Sequence, residues 1–478
     1  MTAALPAPRP RTALLLAAAS ALACAAPSTT PTPANDTGGD ADFTTRALPA
    51  SPQRTGDADA GWEVLRYGDF VGAGLPAELW FDLIGPTGSN QLQRTGRSAA
   101  LNRAFNLFDA PNGVEVVGGL TCMGCHGSWL NGNFIPGLGD AFSDFTGDQS
   151  GEYDALRGII AARYGADSPE AAAAEPLIRG AIAMAPAIQT PFAGVNPAFA
   201  LETAIAAHRD PETLAWTDTP VFTLDGPPPA SDVPAWWLLQ KKNALYYNGM
   251  GRGDFARLLS QTSIVCIEGT DHADDIDADF PDVLAWVRQL QPPPWPGDLD
   301  AQRAAEGAEV FAARCASCHG TYSDDPAAET YPNLLVHVDE VGTDPTYADA
   351  LDGPLVEWMN ASWWTSGEHG GEIVALPGYV APPLDGVWAT APYLHNGSVP
   401  DLASLLDSTT RPDQWGRDFS SSTYDLERVG WPWVSAPADG DPWVYDTTLA
   451  GYANTGHTYG DALDAAERAA LIEYLKTL

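Results

Sequence analysis

The chain has 478 residues, enough for two or three domains of ordinary size. Its 24 lysines and arginines are outnumbered by 62 aspartates and glutamates, which gives a formal net charge of −38. A surface this acidic repels nucleic-acid phosphates and anionic membrane surfaces, so we expect no nucleic acid among the partners. It is compatible with steering toward a basic partner protein.

The first 24 residues have the pattern of a signal peptide. Arg9 and Arg11 precede an apolar run from Ala13 to Ala23, which is too short to span a bilayer. The small residues before Cys24 fit ordinary cleavage, and Cys24 itself fits a bacterial lipoprotein signal; both would cut the same bond. We therefore expect an exported protein, periplasmic or on the outer surface, that meets a membrane only through a lipid on Cys24.

Residues 25–60 follow as a predicted disordered linker. Proline, threonine, serine, glycine, aspartate and alanine dominate this stretch, and large apolar side chains are almost absent. Such a segment buries too little apolar surface to offset the entropy lost on ordering. It would act as a tether between the N-terminus and the folded part of the chain.

The first folded domain is predicted over residues 61–295. Its stretch "NGVEVVGGL" before Cys122 is rich in valine and glycine, which favours an extended or irregular conformation. The stretch "DFPDVLAWVRQL" has Pro281 in a first helical turn and apolar residues at helical spacing, so we expect a helix that closes the domain. The prolines of "LQPPPWPGDLD" at residues 290–300 then mark the domain boundary.

The second domain, residues 296–478, is predicted to begin and end with helices. The stretch "DAQRAAEGAEVFAARCASCHG" is a helical pattern that runs into two cysteines. The stretch "LDAAERAALIEYLKTL" ends the chain, with Asp464 as the expected helix N-cap. Long loops are expected between the helices, because the chain has 46 glycines and 41 prolines.

A Cys-x-x-Cys-His sequence occurs twice, as "CMGCH" and "CASCH", and takes up four of the six cysteines. A thioredoxin-like pair or a zinc site could use Cys-x-x-Cys, but neither requires histidine directly after the second cysteine. Covalent haem attachment does require it, because two thioether bonds hold the haem and the adjacent imidazole ligates the iron. We therefore predict two covalently bound c-type haems, attached through Cys122, Cys125, Cys315 and Cys318, with His126 and His319 as proximal iron ligands.

The helices around the second motif have the layout of a c-type cytochrome domain. The predicted fold class is therefore mainly α, with two cytochrome c-like haem domains and long loops, preceded by a signal peptide and a disordered tether. Cys266 stands alone in the apolar "SIVCI" and is predicted to be a buried structural thiol.

The sixth coordination site of each iron separates an electron carrier from an enzyme. A filled site passes electrons, whereas an open site binds oxygen or peroxide. The residue types alone do not choose among the remaining candidates, which are His208, His272, His337, His369, His395, His457, Met123, Met184, Met250 and Met359.

The stretch "PPLDGVWATAPYLHNGSVPDLASLL" resembles the C-terminal domain of the dihaem cytochrome c peroxidase superfamily. Three further stretches are similar to the branch that contains the dihaem rubber oxygenases and their unassigned relatives. They are "AWWLLQKKNALYYNGMGRGDFARLL", "YPNLLVHVDEVGTDPTYA" and "YANTGHTYGDALDAAERAALIEYLKTL". These stretches lie between Ala235 and Leu478, and the resemblance extends over most of the chain from about Val116 to Leu478.

The resemblance implies roles for further residues. In that branch the C-terminal haem is similar to a bis-histidine electron-transfer site, which assigns His457 of "GHTYG" as its sixth ligand. His395 of "YLHNGS" would lie close to the same haem without ligating its iron. The N-terminal haem of the oxygenase relatives is reactive and lined by aromatic residues, which places Trp236 or Trp237 near the first iron. Plain core packing is the alternative for these two tryptophans.

The chain departs from these relatives in two respects. It is shorter than the rubber-cleaving proteins, and the acid–base pair of the typical peroxidases has only His208 with Glu202 as its candidate. The leading prediction is an exported dihaem c-type oxidoreductase that exchanges electrons with a donor or acceptor protein. Its second haem would relay electrons, and its first would react with a small oxidant, oxygen or peroxide. The alternatives are a hydrogen peroxide-reducing peroxidase and a pure electron-transfer cytochrome.

Overall fold

The computed structural model describes residues 44–223, 229, 231–350 and 353–478. The predicted signal peptide, Cys24 and residues 25–43 of the predicted linker lie outside the described residues. Within the described part of the chain, no helix is long and apolar enough to cross a membrane.

The helices of the described residues are mostly short. They are α1 (Ala58–Tyr67), α2 (Ala77–Leu83), α3 (Cys122–Cys125), α4 (Ser150–Tyr164), α5 (Pro169–Met184), α6 (Ala198–Ala206), α7 (Phe255–Leu259), α8 (Thr270–Asp277), α9 (Phe280–Val287), α10 (Ala301–Arg314), α11 (Ala316–His319), α12 (Val338–Val341), α13 (Thr346–Asp349), α14 (Pro354–Asn360), α15 (Leu402–Leu405) and α16 (Ala465–Leu475).

The strands are two to four residues long. They are β1 (Arg46–Ala47), β2 (Leu75–Pro76), β3 (Asn106–Asp109), β4 (Glu115–Gly118), β5 (Gly127–Leu130), β6 (Asn133–Pro136), β7 (Gly251–Gly253), β8 (Leu334–His337), β9 (Gly371–Ile373), β10 (Gly378–Val380), β11 (Gln414–Arg417), β12 (Trp433–Ser435) and β13 (Val444–Asp446).

The predicted mainly α fold class is wrong. Helices make up 37% of the described residues and strands 13%, so the protein is an α/β mixture. The strands form antiparallel sheets in the orders β1-β8-β10, β12-β11-β13, β2-β4-β3, β5-β6 and β7-β9. Strands this short carry too few residues for an alternating apolar pattern, so the glycine- and proline-rich stretches that contain them read as loops.

The end of the predicted disordered linker is also wrong for the residues that the structure describes. Strand β1 pairs antiparallel with β8, and α1 begins at Ala58 after the N-cap Asp57. Helix α1 packs on α9, where Trp62 stacks on Trp286 with ring centroids 4.9 Å apart. Residues 46–57 are therefore ordered by contacts with distant segments, which their own composition does not reveal.

The largest apolar core crosses the predicted domain boundary at residue 295. It contains Phe255, Ile264 and Val287 from before the boundary and Trp364 and Ile373 from after it. The pairing of β7 with β9 crosses the boundary as well. The two halves are thus interlocked, and the division at residues 295–296 stays a prediction.

Five local predictions are confirmed. Strand β4 is extended, α9 has Pro281 in its first turn, and α10 runs up to the second cysteine pair. Helix α16 starts at the predicted N-cap Asp464, which forms a capping box with Glu467. Cys266 is buried, with 1% of its surface exposed, as predicted for a structural thiol.

Helices α10 and α16 cross at very short distance. A Cβ atom on Gly307 would lie 1.9 Å from the carbonyl oxygen of Ala470, so only glycine fits there. The crossing brings the first and last helices of the second half together beside the second cysteine pair.

Candidate functional site

The second Cys-x-x-Cys-His motif follows directly from α10. Cys315 is the C-cap of α10, and the single turn α11 ends at His319. The Nδ1 atom of His319 is 2.8 Å from the carbonyl oxygen of Pro382, to which it donates in the tautomer that leaves Nε2 without a proton. This hydrogen bond orients the ring and frees Nε2 for a metal ion.

His457 lies opposite His319. The centroids of the two imidazoles are 6.1 Å apart, and their planes are inclined by 65°. Two metal–nitrogen bonds of about 2 Å and two ring radii of roughly 1.1 Å add up to roughly 6 Å. The spacing therefore suits a single iron between the two rings.

The loop that carries His457 is fixed by Arg411. His457 has a left-handed φ of 45°, and its backbone N–H donates to the Val341 carbonyl at 2.8 Å. The Arg411 guanidinium donates to the carbonyls of Asn454, Gly456 and His457, and to those of Ser404 and Leu405 at the end of α15. Arg411 was not predicted as a site residue, because nothing in its neighbourhood along the chain points to His457.

A cavity of about 380 Å³ lies beside these two histidines, within the usual range of ligand pockets. Its wall includes His395, which stacks on Tyr379 with centroids 4.1 Å apart. The Nε2 atom of His395 is buried without a hydrogen-bond partner among the described residues, and burial lowers the pKa of the ring to about 3. The structure thus places His395 at the same cavity as His319 and His457.

The first motif lies between two strands. It forms the single turn α3, after β4 and before β5. The imidazole of His126 stacks on the indole of Trp236, with centroids 4.5 Å apart and planes inclined by 18°. Because a metal ion lies in the plane of the imidazole that ligates it, Trp236 lies beside the predicted proximal ligand, on the same side of the iron. Burial lowers the pKa of His126 to about 4.

Trp237 faces the other half of the molecule. It is fully buried in a cluster with Phe311 and Trp388, and its indole N–H donates to the Asp385 carbonyl at 2.8 Å. Asp385 lines the cavity beside His319. The two adjacent tryptophans therefore extend from one motif to the surroundings of the other.

The predicted pairing of His208 with Glu202 is wrong, because the two side chains have separate partners. His208 stacks on Trp216, and its Nδ1 atom is 2.9 Å from the Thr217 carbonyl. Glu202 lies next to Gln261, whose amide nitrogen donates to Oε1 of Glu202 at 3.3 Å in its favourable orientation. Burial raises the pKa of Glu202 to about 7.

Gln261 belongs to a segment that contacts the first motif. The hydroxyl of the next residue, Thr262, donates to the carbonyl of Leu120 at 3.4 Å, two residues before Cys122. The same apolar core contains Phe199 of α6 and Met123 of the motif. Glu202 and Gln261 therefore form a polar pair, with Gln261 buried and Glu202 partly buried, in segments that share an apolar core with the first motif.

The chemistry of both motifs fits covalent haem. Burial raises the pKa of Cys122 to about 12 and that of Cys315 to about 11, which disfavours a thiolate zinc site or a redox-active thiol. The described residues hold no cluster of three or more His, Cys, Asp or Glu side chains suited to a metal ion. Haem, when bound, supplies an iron that exchanges single electrons or binds small oxidants.

Comparisons with known proteins agree with this chemistry. Residues 378–416 match a family described as RoxA-like, cytochrome c-like. Two curated relatives, the uncharacterized proteins y4iJ and y4iM of Sinorhizobium fredii, are 31% and 30% identical to the chain over 252 and 293 residues. The alignments cover 40% and 52% of this chain, and 41% and 64% of the relatives. The chain is therefore similar to RoxA-like cytochromes at residues 378–416, and the match implies a c-type haem with its iron.

Proposed function

We propose that the protein is an exported dihaem c-type cytochrome oxidoreductase with two unequal haem sites. The observation that carries this proposal is the difference between the two motif histidines. His319 faces a second imidazole at the spacing of two axial ligands, whereas His126 stacks on the indole of Trp236. A site with two histidines passes electrons, and a site with one leaves a position for a small oxidant.

Each residue then has a definite role. Cys122 and Cys125 would hold the first haem, with His126 as the ligand of its iron. Cys315, Cys318 and His319 would do the same for the second haem, and His457 would be its second histidine ligand. The adjacent residues Trp236 and Trp237 would offer a path for electrons between the two sites, since one stacks on His126 and the other reaches the Asp385 carbonyl. His395 would contact the second haem without ligating its iron.

Peroxide is the oxidant that the polar pair favours. Glu202 has a pKa near 7, so it holds and releases a proton at neutral pH, and Gln261 fixes its orientation. Reduction of peroxide consumes protons, which such a carboxyl would deliver beside the first haem. Reaction with oxygen in an oxygenase-like cycle is the second candidate, since the position that would bind peroxide would also bind oxygen.

The test is ligand binding to the purified protein. Cyanide and peroxide are added to the oxidised form and carbon monoxide to the reduced form, and the absorption and EPR signals of each haem are followed. We expect changes at the first haem only, which Trp236→Phe should perturb. If both haems ignore all three ligands, the protein is an electron carrier.

Glu202→Gln distinguishes the two oxidants. The substitution keeps the shape of the side chain and removes its exchangeable proton. We expect slower peroxide reduction with unchanged cyanide affinity if peroxide is the substrate. Equal rates of peroxide reduction by the wild-type protein and by Glu202→Gln would favour the oxygenase-like alternative.

Export and lipidation of Cys24 belong to the same proposal. Cell fractionation of the full chain and of Cys24→Ser would test them. We expect both forms outside the cytoplasm, with membrane association lost in the variant if the cysteine carries a lipid.

A further inference from the structure

Two neighbouring lysines of the segment after Trp237 have opposite surroundings. The ammonium of Lys241 bonds the carboxylates of Asp385 and Glu329 at 2.6 and 2.7 Å. The ammonium of Lys242 has a single long contact, 3.5 Å to the Tyr246 carbonyl, and the described residues place no carboxylate within 4.0 Å of it. Lys242 is nevertheless 8% exposed and lines the cavity of the second site.

His395 adds a second unsatisfied polar atom to the same wall. Its side chain is 6% exposed and clamped between aromatic rings, with Tyr379 at 4.1 Å and Tyr347 at 6.1 Å between centroids. The Nε2 atom has no partner among the described residues. The stack on Tyr379 favours one orientation of the imidazole plane, which directs its free nitrogen.

An isolated ammonium in a protein interior is costly unless an anion accompanies it. Burial lowers the pKa of Lys242 only to about 8, so the side chain still carries its charge at neutral pH. The carboxyl of Asp232, which lines the same cavity, is bonded by the Tyr247 hydroxyl at 3.0 Å, and burial raises its pKa to about 8. Asp232 therefore supplies little negative charge to balance Lys242.

We propose that Lys242 and His395 form a carboxylate-binding site in the cavity wall, which holds the propionate groups of the second haem. The proposal rests on the proposed second haem and adds the residues that recognise its anionic edge. Propionates are the carboxylates of a haem, and Cys315 and Cys318 tie down the opposite, vinyl edge. The Lys242 ammonium would be a charged donor to the propionate and the His395 imidazole a neutral one. The propionate would supply the negative charge that is missing beside Lys242.

The experiment compares holoprotein variants by resonance Raman spectroscopy and by redox titration of the second haem. Lys242→Met removes the charged donor, Lys242→Arg keeps it, and His395→Phe removes Nε2 while keeping the stack on Tyr379. We expect the propionate bending band to shift in Lys242→Met and His395→Phe and to stay close to its original position in Lys242→Arg. The midpoint potential of the second haem should fall in Lys242→Met, because a nearby positive charge favours the reduced iron.

Lys241→Met is the matched control. This variant removes the same positive charge one residue away, so it can also lower the midpoint potential of the second haem. It should leave the propionate bending band unchanged. A propionate band that ignores both Lys242→Met and His395→Phe would overturn the proposal. If Lys242→Met does not fold, His395→Phe and Lys242→Arg still decide it.

Failure of the proposed function would look different. Mass spectrometry that finds no haem on Cys315 and Cys318 would remove the second haem itself. If both haems are retained and the propionate band does not shift in the variants, only the proposed role of Lys242 and His395 is wrong.

Discussion

The two attachment motifs share one pattern of five residues but have different surroundings. The second lies at the end of α10, beside the crossing with α16, and its His319 faces another histidine. The first lies between β4 and β5, and its His126 stacks on Trp236. The motif therefore predicts an attachment site and a proximal ligand in both halves, while the segment folded against it decides which ring lies next to its histidine.

The rings that lie next to His319 and His126 are also held in different ways. His457 needs a left-handed backbone and a loop bound by Arg411 at several carbonyls, so its position depends on distant segments. Trp236 needs only the packing of a short helical turn against the motif. We infer that the second site is the more rigid of the two, and the following changes test that difference.

The largest effect should come from the cysteine pairs. Cys315→Ala with Cys318→Ala should remove one haem, and Cys122→Ala with Cys125→Ala should remove the other, because each pair forms its own thioether bonds. Mass spectrometry of the denatured chain should show one haem fewer in each case. Cys266→Ala, which removes a buried thiol outside both motifs, should retain both haems. A wild-type chain with one haem or none would contradict the dihaem proposal.

Replacement of His457 should change the spin state of one haem completely. His457→Ala leaves the second iron without its proposed sixth ligand, so a low-spin EPR signal should become high-spin while both haems stay attached. His369→Ala, at an exposed histidine, should leave the spectrum unchanged. If His395→Ala converts the signal and His457→Ala does not, the ligand assignment is reversed.

Replacement of Arg411 should produce a partial version of the same change. Arg411→Gln leaves partly buried carbonyls of the His457 loop unpaired, at a cost of at most about 1–3 kcal/mol each. The second haem should then show a mixed spin state and begin to bind cyanide. Arg468→Gln, which removes a neighbouring arginine bonded to Asp407 and the Leu463 carbonyl, should lower stability without this spectral change. An unaltered spin state in Arg411→Gln would show that the loop of His457 keeps its conformation without the Arg411 hydrogen bonds.

The smallest effect should come from the helix crossing. Gly307→Ala forces a Cβ against the Ala470 carbonyl and should lower the free energy of unfolding by about 1–3 kcal/mol. Gly158→Ala, inside α4 with open space around it, should instead raise it by about 0.5–1 kcal/mol. Denaturant unfolding followed at the haem absorbance bands measures both. Equal values for the two variants would mean that α10 and α16 separate at little cost.

Local signals in the sequence determined much of this protein. The spacing of Cys and His defines both attachment motifs, and Asp464, Pro281 and the apolar periodicity define α16, α9 and α10. These features depend on residues within one or two helical turns, so a single stretch of sequence contains the whole cause. The match at residues 378–416 agrees with the resemblance drawn from the stretch around His395.

Tertiary structure decided the rest. The short strands pair only because distant segments meet, and this made the fold an α/β mixture. The division of labour between Trp236 and Trp237, the position of His457 over His319, and the isolation of Lys242 beside a fully paired Lys241 all depend on contacts between remote parts of the chain. Such contacts depend on packing and charge in three dimensions, and they cannot be predicted from residues that are neighbours in sequence.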